Sequence, residues 1–354
     1  MSSSNASAGV SRVRVWIARA WGRPLLDVTG RVLLGAPGRG PRGAPGRAAC
    51  AALASALALL VLAGCGLGAG PTPGGISLSV TQDFGALPVG YAATPRVSGQ
   101  ETVMSLLMRN YEVKTRYGGG FVESVDGHAG GTTAGEPIDW FYYVNGVEAP
   151  KGAAETNVQT GDRIWWDLHD WSQTDNIPAV VGSFPEPFVG GIEGKRYPLR
   201  VECAEPSSAA CATVHTRLGA LGVPVAGAAV SDEEEQLTMR VLVGPYAALG
   251  NSLSVHDLSA GPRSSGVYAR FSDGGSTLSL LDPAGSVVRK LGAGAGLIAA
   301  TRYGEEAPVW LVTGTDPAGV TRAANSLRES TLHNVFALAL EPSGVAQPLP
   351  LAGS

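Results

Sequence analysis

Ile76, Leu78 and Val80 alternate with Ser77, Ser79 and Thr81, which predicts a half-buried strand at the start of the patterned chain. Ser98-Gly99-Gln100-Glu101 reads as a capping box, with Ser at the N-cap and Glu at N3. Behind it Val103, Met104, Leu107, Met108 and Tyr111 share one helical face. Strands are predicted over Tyr111–Tyr117 and Phe121–Val125, the second closed by the hairpin dipeptide Asp126-Gly127. The aromatic run Asp139–Val144 turns at Asn145-Gly146, and Arg163–Trp171 is a last long strand.

The pattern then breaks. Ser172–Gly194 is rich in Pro and Gly, with Ile177–Val181 able to add a strand to the first domain, and the second domain starts near Lys195. Beyond Lys195 the predicted order is a strand at Leu199–Cys203, a helix at Ala209–Leu221 ended by Gly222, and a strand at Gln236–Val243. Further strands are predicted at Gly266–Phe271, Thr277–Leu281, Leu297–Arg302 and Pro308–Val312. Asp316-Pro317 places an N-cap before Pro at N1, with Val320, Ala323, Ala324 and Leu327 as the buried stripe of the helix that follows. Val335–Leu340 closes the domain as a strand. The expected class is α+β throughout. A first domain at residues 76–190 has one helix across a curled mixed sheet, the β-grasp arrangement. A second α+β domain at residues 195–345, with two helices on one sheet, precedes a tail at residues 346–354.

Residues upstream carry a different signal. Ala48–Ala63 is a run of 16 residues without charge, flanked by Arg39, Arg42 and Arg47. It is short of the roughly 20 apolar residues of a permanent span and has the form of a secretory signal. It ends in Leu62-Ala63-Gly64-Cys65, which resembles the lipobox of bacterial lipoproteins. The expectation is a signal at residues 1–64, a diacylglycerol on Cys65, and a flexible tether over residues 65–75. The 47 residues before the run are long for such a signal, so translation is expected to start nearer Arg31–Arg47 than Met1.

Processing would change the charge. The 354-residue chain has a formal net charge of −4; residues 1–64 hold eight Arg and one Asp, so the remainder has 18 basic and 29 acidic residues, net −11. Such a chain is repelled by nucleic acid and anionic lipid and should stand off the membrane on its anchor, at the extracytoplasmic face of the cell membrane. Cys203 and Cys211 then remain as an isolated pair in an oxidising compartment and are expected to form a disulfide. Their spacing is not C-x-x-C, so neither a redox motif nor a zinc knuckle is read, and no metal is expected.

Several motifs in order carry a family resemblance. They are Thr81-Gln82-Asp83-Phe84-Gly85, then Glu101-Thr102-Val103 opening the helix, and Gly120-Phe121-Val122 running to Asp126-Gly127. Trp140 with Tyr142-Tyr143-Val144-Asn145-Gly146, and Gly161-Asp162-Arg163-Ile164-Trp165-Trp166, complete the series. Over Ile76–Trp171 it resembles the C-terminal β-grasp-like domain of transcobalamin and intrinsic factor, and of many bacterial surface proteins carrying that domain. The resemblance implies cobalamin as a ligand, with the second wall of its site supplied by a partner or by the second domain.

Chemistry is sparse. No G-x-S-x-G or H-E-x-x-H is present, and Gly190–Arg196 lacks the spacing of a phosphate loop. The five His are scattered; His215 reads as a surface or satisfied interior position. Asp232–Glu235 reads as a solvated face. One constellation stands out. Strand parity puts Ile164, Trp166 and Leu168 on the core face, and Trp165, Asp167, His169 and Trp171 on the other. With Tyr143 these form either a ligand platform or an interface covered by the second domain. The expected function is a non-enzymatic, lipid-anchored ligand-binding protein, an accessory to uptake of a cobalamin-like cofactor through a membrane transporter. The alternative is a scaffolding envelope lipoprotein that contacts a membrane or cell-wall partner.

Overall fold

Alternation at Ile76–Thr81 does produce a strand, and it lies inside a mixed sheet rather than at its edge. The computed structural model describes residues 75–94, 100–233 and 235–352. The signal run, Cys65, the tether to residue 74 and Ser98 lie outside the described residues. Strands β1 (Ile76–Gln82) and β2 (Leu87–Thr94) precede helix α1 (Val103–Asn110), followed by β3 (Val113–Arg116), β4 (Phe121–Val125), β5 (His128–Ala129) and β6 (Gly131–Thr133). Then come β7 (Glu136–Val144), β8 (Val147–Glu148) and β9 (Arg163–Asp170). The sheet order is β2-β1-β9-β7-β6, with β8 on β7 and only the β1/β9 pair parallel. A small sheet β3-β4-β5 sits apart. Asp126-Gly127 and Asn145-Gly146 turn with positive φ at both residues, the backbone that two-residue hairpins need.

Helix α1 starts later than its sequence signal. Thr102 is the N-cap: its side chain accepts from Ser105 N, while Ser105 Oγ accepts from Thr102 N. The Thr102/Ser105 pair supplies the reciprocal cap expected of Ser98 and Glu101. Glu101 is buried instead and pairs with Arg109 at 3.1 Å. Val103, Met104 and Leu107 of the expected face pack, with Leu106, on Leu78, Ile164, Trp166 and Leu168, while Met108, also expected there, is exposed.

The second region is built on a seven-stranded sheet in the order β11-β10-β12-β17-β16-β18-β19. Its strands are β10 (Leu199–Cys203), β11 (Val225–Ala229), β12 (Met239–Pro245), β16 (Gly296–Thr301), β17 (Val309–Gly314), β18 (Ala337–Leu340) and β19 (Ala346–Leu349). The first four in sheet order are parallel and the rest antiparallel. Strands β12 and β17 read as nearly continuous apolar runs because both faces are covered. One face holds α2 (Ala209–Gly219) and α5 (Pro317–Ser326). The Asp316 side chain accepts from Gly319 N at 2.9 Å with Pro317 at N1, as its sequence predicts. The other face meets α3 (Leu253–Ala260), α4 (Pro262–Ser265) and a three-stranded sheet of β13 (Ala269–Ser272), β14 (Thr277–Leu281) and β15 (Val287–Leu291). A short helix α6 (Glu329–Leu332) leads into β18.

Two expectations are corrected. The second region has more than two helices. Residues 346–349 are not tail but the edge strand β19, paired with β18. Within the Pro- and Gly-rich segment Ser172–Gly194, Ile177, Val180, Val181, Phe184 and Phe188 are all buried, pinning the segment between the two regions. All described residues accordingly fall in a single compact unit. The architecture is α+β, with one apolar core shared by the two regions.

Candidate functional site

The outer face of β9 is where the sequence places its candidate platform, and the structure closes it. Trp165, Asp167, His169 and Tyr143 are each at most 2% exposed. Phe336, in the turn before β18, stacks edge-on against Trp165 at 4.9 Å, Tyr143 at 5.5 Å and His169 at 5.3 Å. Phe84 meets Tyr268 at 5.2 Å and Phe336 at 5.3 Å. The second region therefore covers the stripe, and the open ligand platform is corrected to an interface. The physical reason is the cost of leaving the Trp165 indole and its aromatic neighbours in water. Trp171 lies outside this core, half-buried, and its Nε1 donates to Asp139.

Asp167 is the polar centre of the interface. Its carboxylate accepts from Thr81 Oγ1 at 2.5 Å, Phe84 N at 3.0 Å, Gly85 N at 2.8 Å and His169 Nδ1 at 2.9 Å. Thr81 Oγ1 in turn accepts from Trp165 Nε1 at 2.7 Å. The His169 ring is held between Phe84 and Phe141, with centroids 4.6 and 4.5 Å away. Gly85 makes the approach workable: its φ is +86°, and a Cβ there would stand 2.0 Å from the Asn334 carbonyl oxygen. A network this well satisfied serves to fix two surfaces together. Tyr143 differs, because its buried hydroxyl has no hydrogen-bond partner among the described residues. Tyr143→Phe should therefore leave stability unchanged or raise it by about 1 kcal/mol; urea unfolding checks this, and a loss above that size would reveal a partner.

An open cleft lies elsewhere on the junction. Its volume is about 430 Å³, and it is lined by Val144, Val147 and Glu148 of the first region, by Ile192 and Lys195, and by Leu237 and Arg302 of the second. Leu237 is 61% exposed at its edge. Glu148 sits half-buried at the end of β8 and accepts from Ile177 N at 3.0 Å. Burial pushes its carboxyl up to about 7; the Ile177 N–H opposes the rise and Asp175 adds to it. Apolar side chains beside one acid and the two cations Lys195 and Arg302 favour a small ligand with an apolar body, a donor end toward Glu148 and an acceptor end toward the cations.

Burial also pushes Glu186 up to about 7, against the Gly190 N–H and Arg163. For both acids the folded form holds its proton above the ordinary carboxyl value of 4.5, so the folded chain binds more protons than the unfolded one between pH 4.5 and about 7. Stability should fall as pH rises through that window. The urea midpoint is expected to drop between pH 4.5 and 7 and to level in the E148Q/E186Q double variant; a midpoint that climbs would contradict it.

Cys203 and Cys211 form the expected disulfide, with Cα atoms 6.0 Å apart. Cys65, the expected lipidation site, lies outside the described residues. The cleft residues Glu148, Leu237 and Arg302 went unread in the sequence. They sit in separate segments, and no local spacing joins them.

Comparison with known proteins adds little. Residues 100–170 match a family model described as a domain of unknown function (DUF4430). No curated protein matches the chain. Among solved structures, the chain is similar to a putative metal binding protein from Ruminococcus gnavus ATCC 29149, at 15% identity and a TM-score of 0.22, over 27% of this chain and 97% of that one.

Proposed function

We propose that this chain is a lipid-anchored, extracytoplasmic binding protein without catalysis of its own, and that it takes a small ligand in the junction cleft. The observation that carries the reading is Glu148: a carboxyl that burial pushes up to about 7, on a cleft where apolar Val147, Ile192 and Leu237 stand beside Lys195 and Arg302. The lipobox resemblance supplies the anchor and the compartment, and a membrane transporter is the partner that such a protein would feed. A cleft of this volume accepts a drug-sized molecule. A cobalamin-like cofactor is larger and would need a further wall from that partner, so it enters as one probe among several.

The test is a thermal-shift panel on the full chain in detergent. It contains primary amines, amino acids, short peptides, inorganic anions and a cobamide. At least one compound with a basic or donor end should raise Tm, and Leu237→Arg, which fills the cleft edge with a charged side chain, should abolish the shift. A panel without any shift, or one unchanged by Leu237→Arg, would overturn the proposal. Mass spectrometry of the membrane-extracted protein should find diacylglycerol on Cys65; a bare thiol there would remove the anchor.

A further inference from the structure

The Cys203–Cys211 disulfide has a third neighbour that its linear spacing hides. His215 lies one helical turn after Cys211 on α2, and Cys203 ends β10 beneath it. The two sulfurs and a ring nitrogen of His215 lie within 4.8 Å of one another. Thiolates and imidazole around a tetrahedral zinc ion stand roughly 3.4–3.8 Å apart, from bonds of about 2.3 and 2.0 Å. Among the described residues His215 makes no hydrogen bond or ion pair, so both ring nitrogens are free of protein partners. Its ring is seated over Gly227 of β11, where an added Cβ would stand 3.3 Å from Cε1 and 3.4 Å from Nε2. Both cysteines are buried and His215 is half-buried, so the cluster is walled by protein on one side and reaches solvent on the other.

We propose that Cys203, Cys211 and His215 are a thiophilic metal site latched shut by the disulfide: reduced, they bind one Zn²⁺ per chain; oxidised, none. The reductant is a dithiol. It gives two electrons and two protons to the S–S bond, leaves as its own disulfide, and yields two Cys thiols. Metal binding then forms two S–Zn bonds and one N–Zn bond, releases the two thiol protons, and leaves a fourth position for water. Soft sulfur donors with one imidazole select zinc over the hard divalent cations.

The experiment uses the full chain carrying Cys50→Ser and Cys65→Ser, so that only this pair contributes thiols. After reduction by a phosphine without oxygen, Zn²⁺ is titrated against a chromophoric chelator, and Co²⁺ reports thiolate ligation by its charge-transfer absorption. One equivalent should bind to the reduced chain and none to the oxidised chain. His215→Ala should weaken binding at least tenfold. Gly227→Val, which crowds the ring and touches no ligand, should weaken it while the disulfide still forms on reoxidation. The proposal is overturned if the reduced chain takes up no zinc, if it loses its far-ultraviolet dichroism on reduction, or if neither the His215 nor the Gly227 variant changes the affinity.

Discussion

Arg240→Met should destabilise the protein by about 3–5 kcal/mol, the cost of leaving a buried carboxylate without its directly hydrogen-bonded cation. Glu202 and Arg240 are both fully buried between β10 and β12. Arg240 Nε and Nη2 each donate to Glu202 at 2.9 Å, and Nη2 also reaches the Ser231 carbonyl. Ser231 N donates back to Glu202, and Arg200 stands 3.6 Å from the same carboxylate. Leu242, two residues beyond Arg240, belongs to the core shared by the two regions, so the pair sits at that core's edge. Replacing both members, as in E202L/R240M, removes the charge along with its partner and should recover most of the loss. Urea unfolding of the two variants decides; a double variant as unstable as the single one would show that the pair contributes more than charge balance.

Trp165→Ala should cost about 3–5 kcal/mol, as large truncations in close-packed cores do. Trp165 packs on Tyr143 and Phe336, and its indole donates to Thr81. The loss should reach both regions, because the partners come from both. Hydrogen exchange is therefore expected to quicken in β18 as well as in β9. Exchange that quickens in β9 alone would mean that the interface does not couple them.

Much of this was readable from residues alone. The parity of β9 separated Trp166 from Trp165 correctly, because side chains alternate faces whatever they face. Its partners could not be read: Phe84, Tyr268 and Phe336 reach the stripe from three distant segments, and nothing local encodes that meeting. The stripe could be read as exposed or covered, and only the fold decides between them. Strand β11 (Val225–Ala229) was missed because it is nearly all small residues on an edge, and β15 because four of its five residues are exposed. Helix α3 was missed because Ser254, His256, Asp257 and Ser259 blur its apolar stripe. The Pro- and Gly-rich segment after Trp171 shows little periodicity, yet its few apolar residues are buried. The cleft was invisible for the same reason as the aromatic partners. Its walls belong to residues that only the tertiary structure brings together.

Calorimetric titration of the compound that shifts Tm most, into wild type, Leu237→Arg and Trp165→Phe, places the ligand on one surface or the other. Binding at the junction cleft requires wild-type affinity in the folded Trp165→Phe variant and loss of heat in Leu237→Arg. Loss in Trp165→Phe with retention in Leu237→Arg would put the ligand on the aromatic face and contradict the cleft.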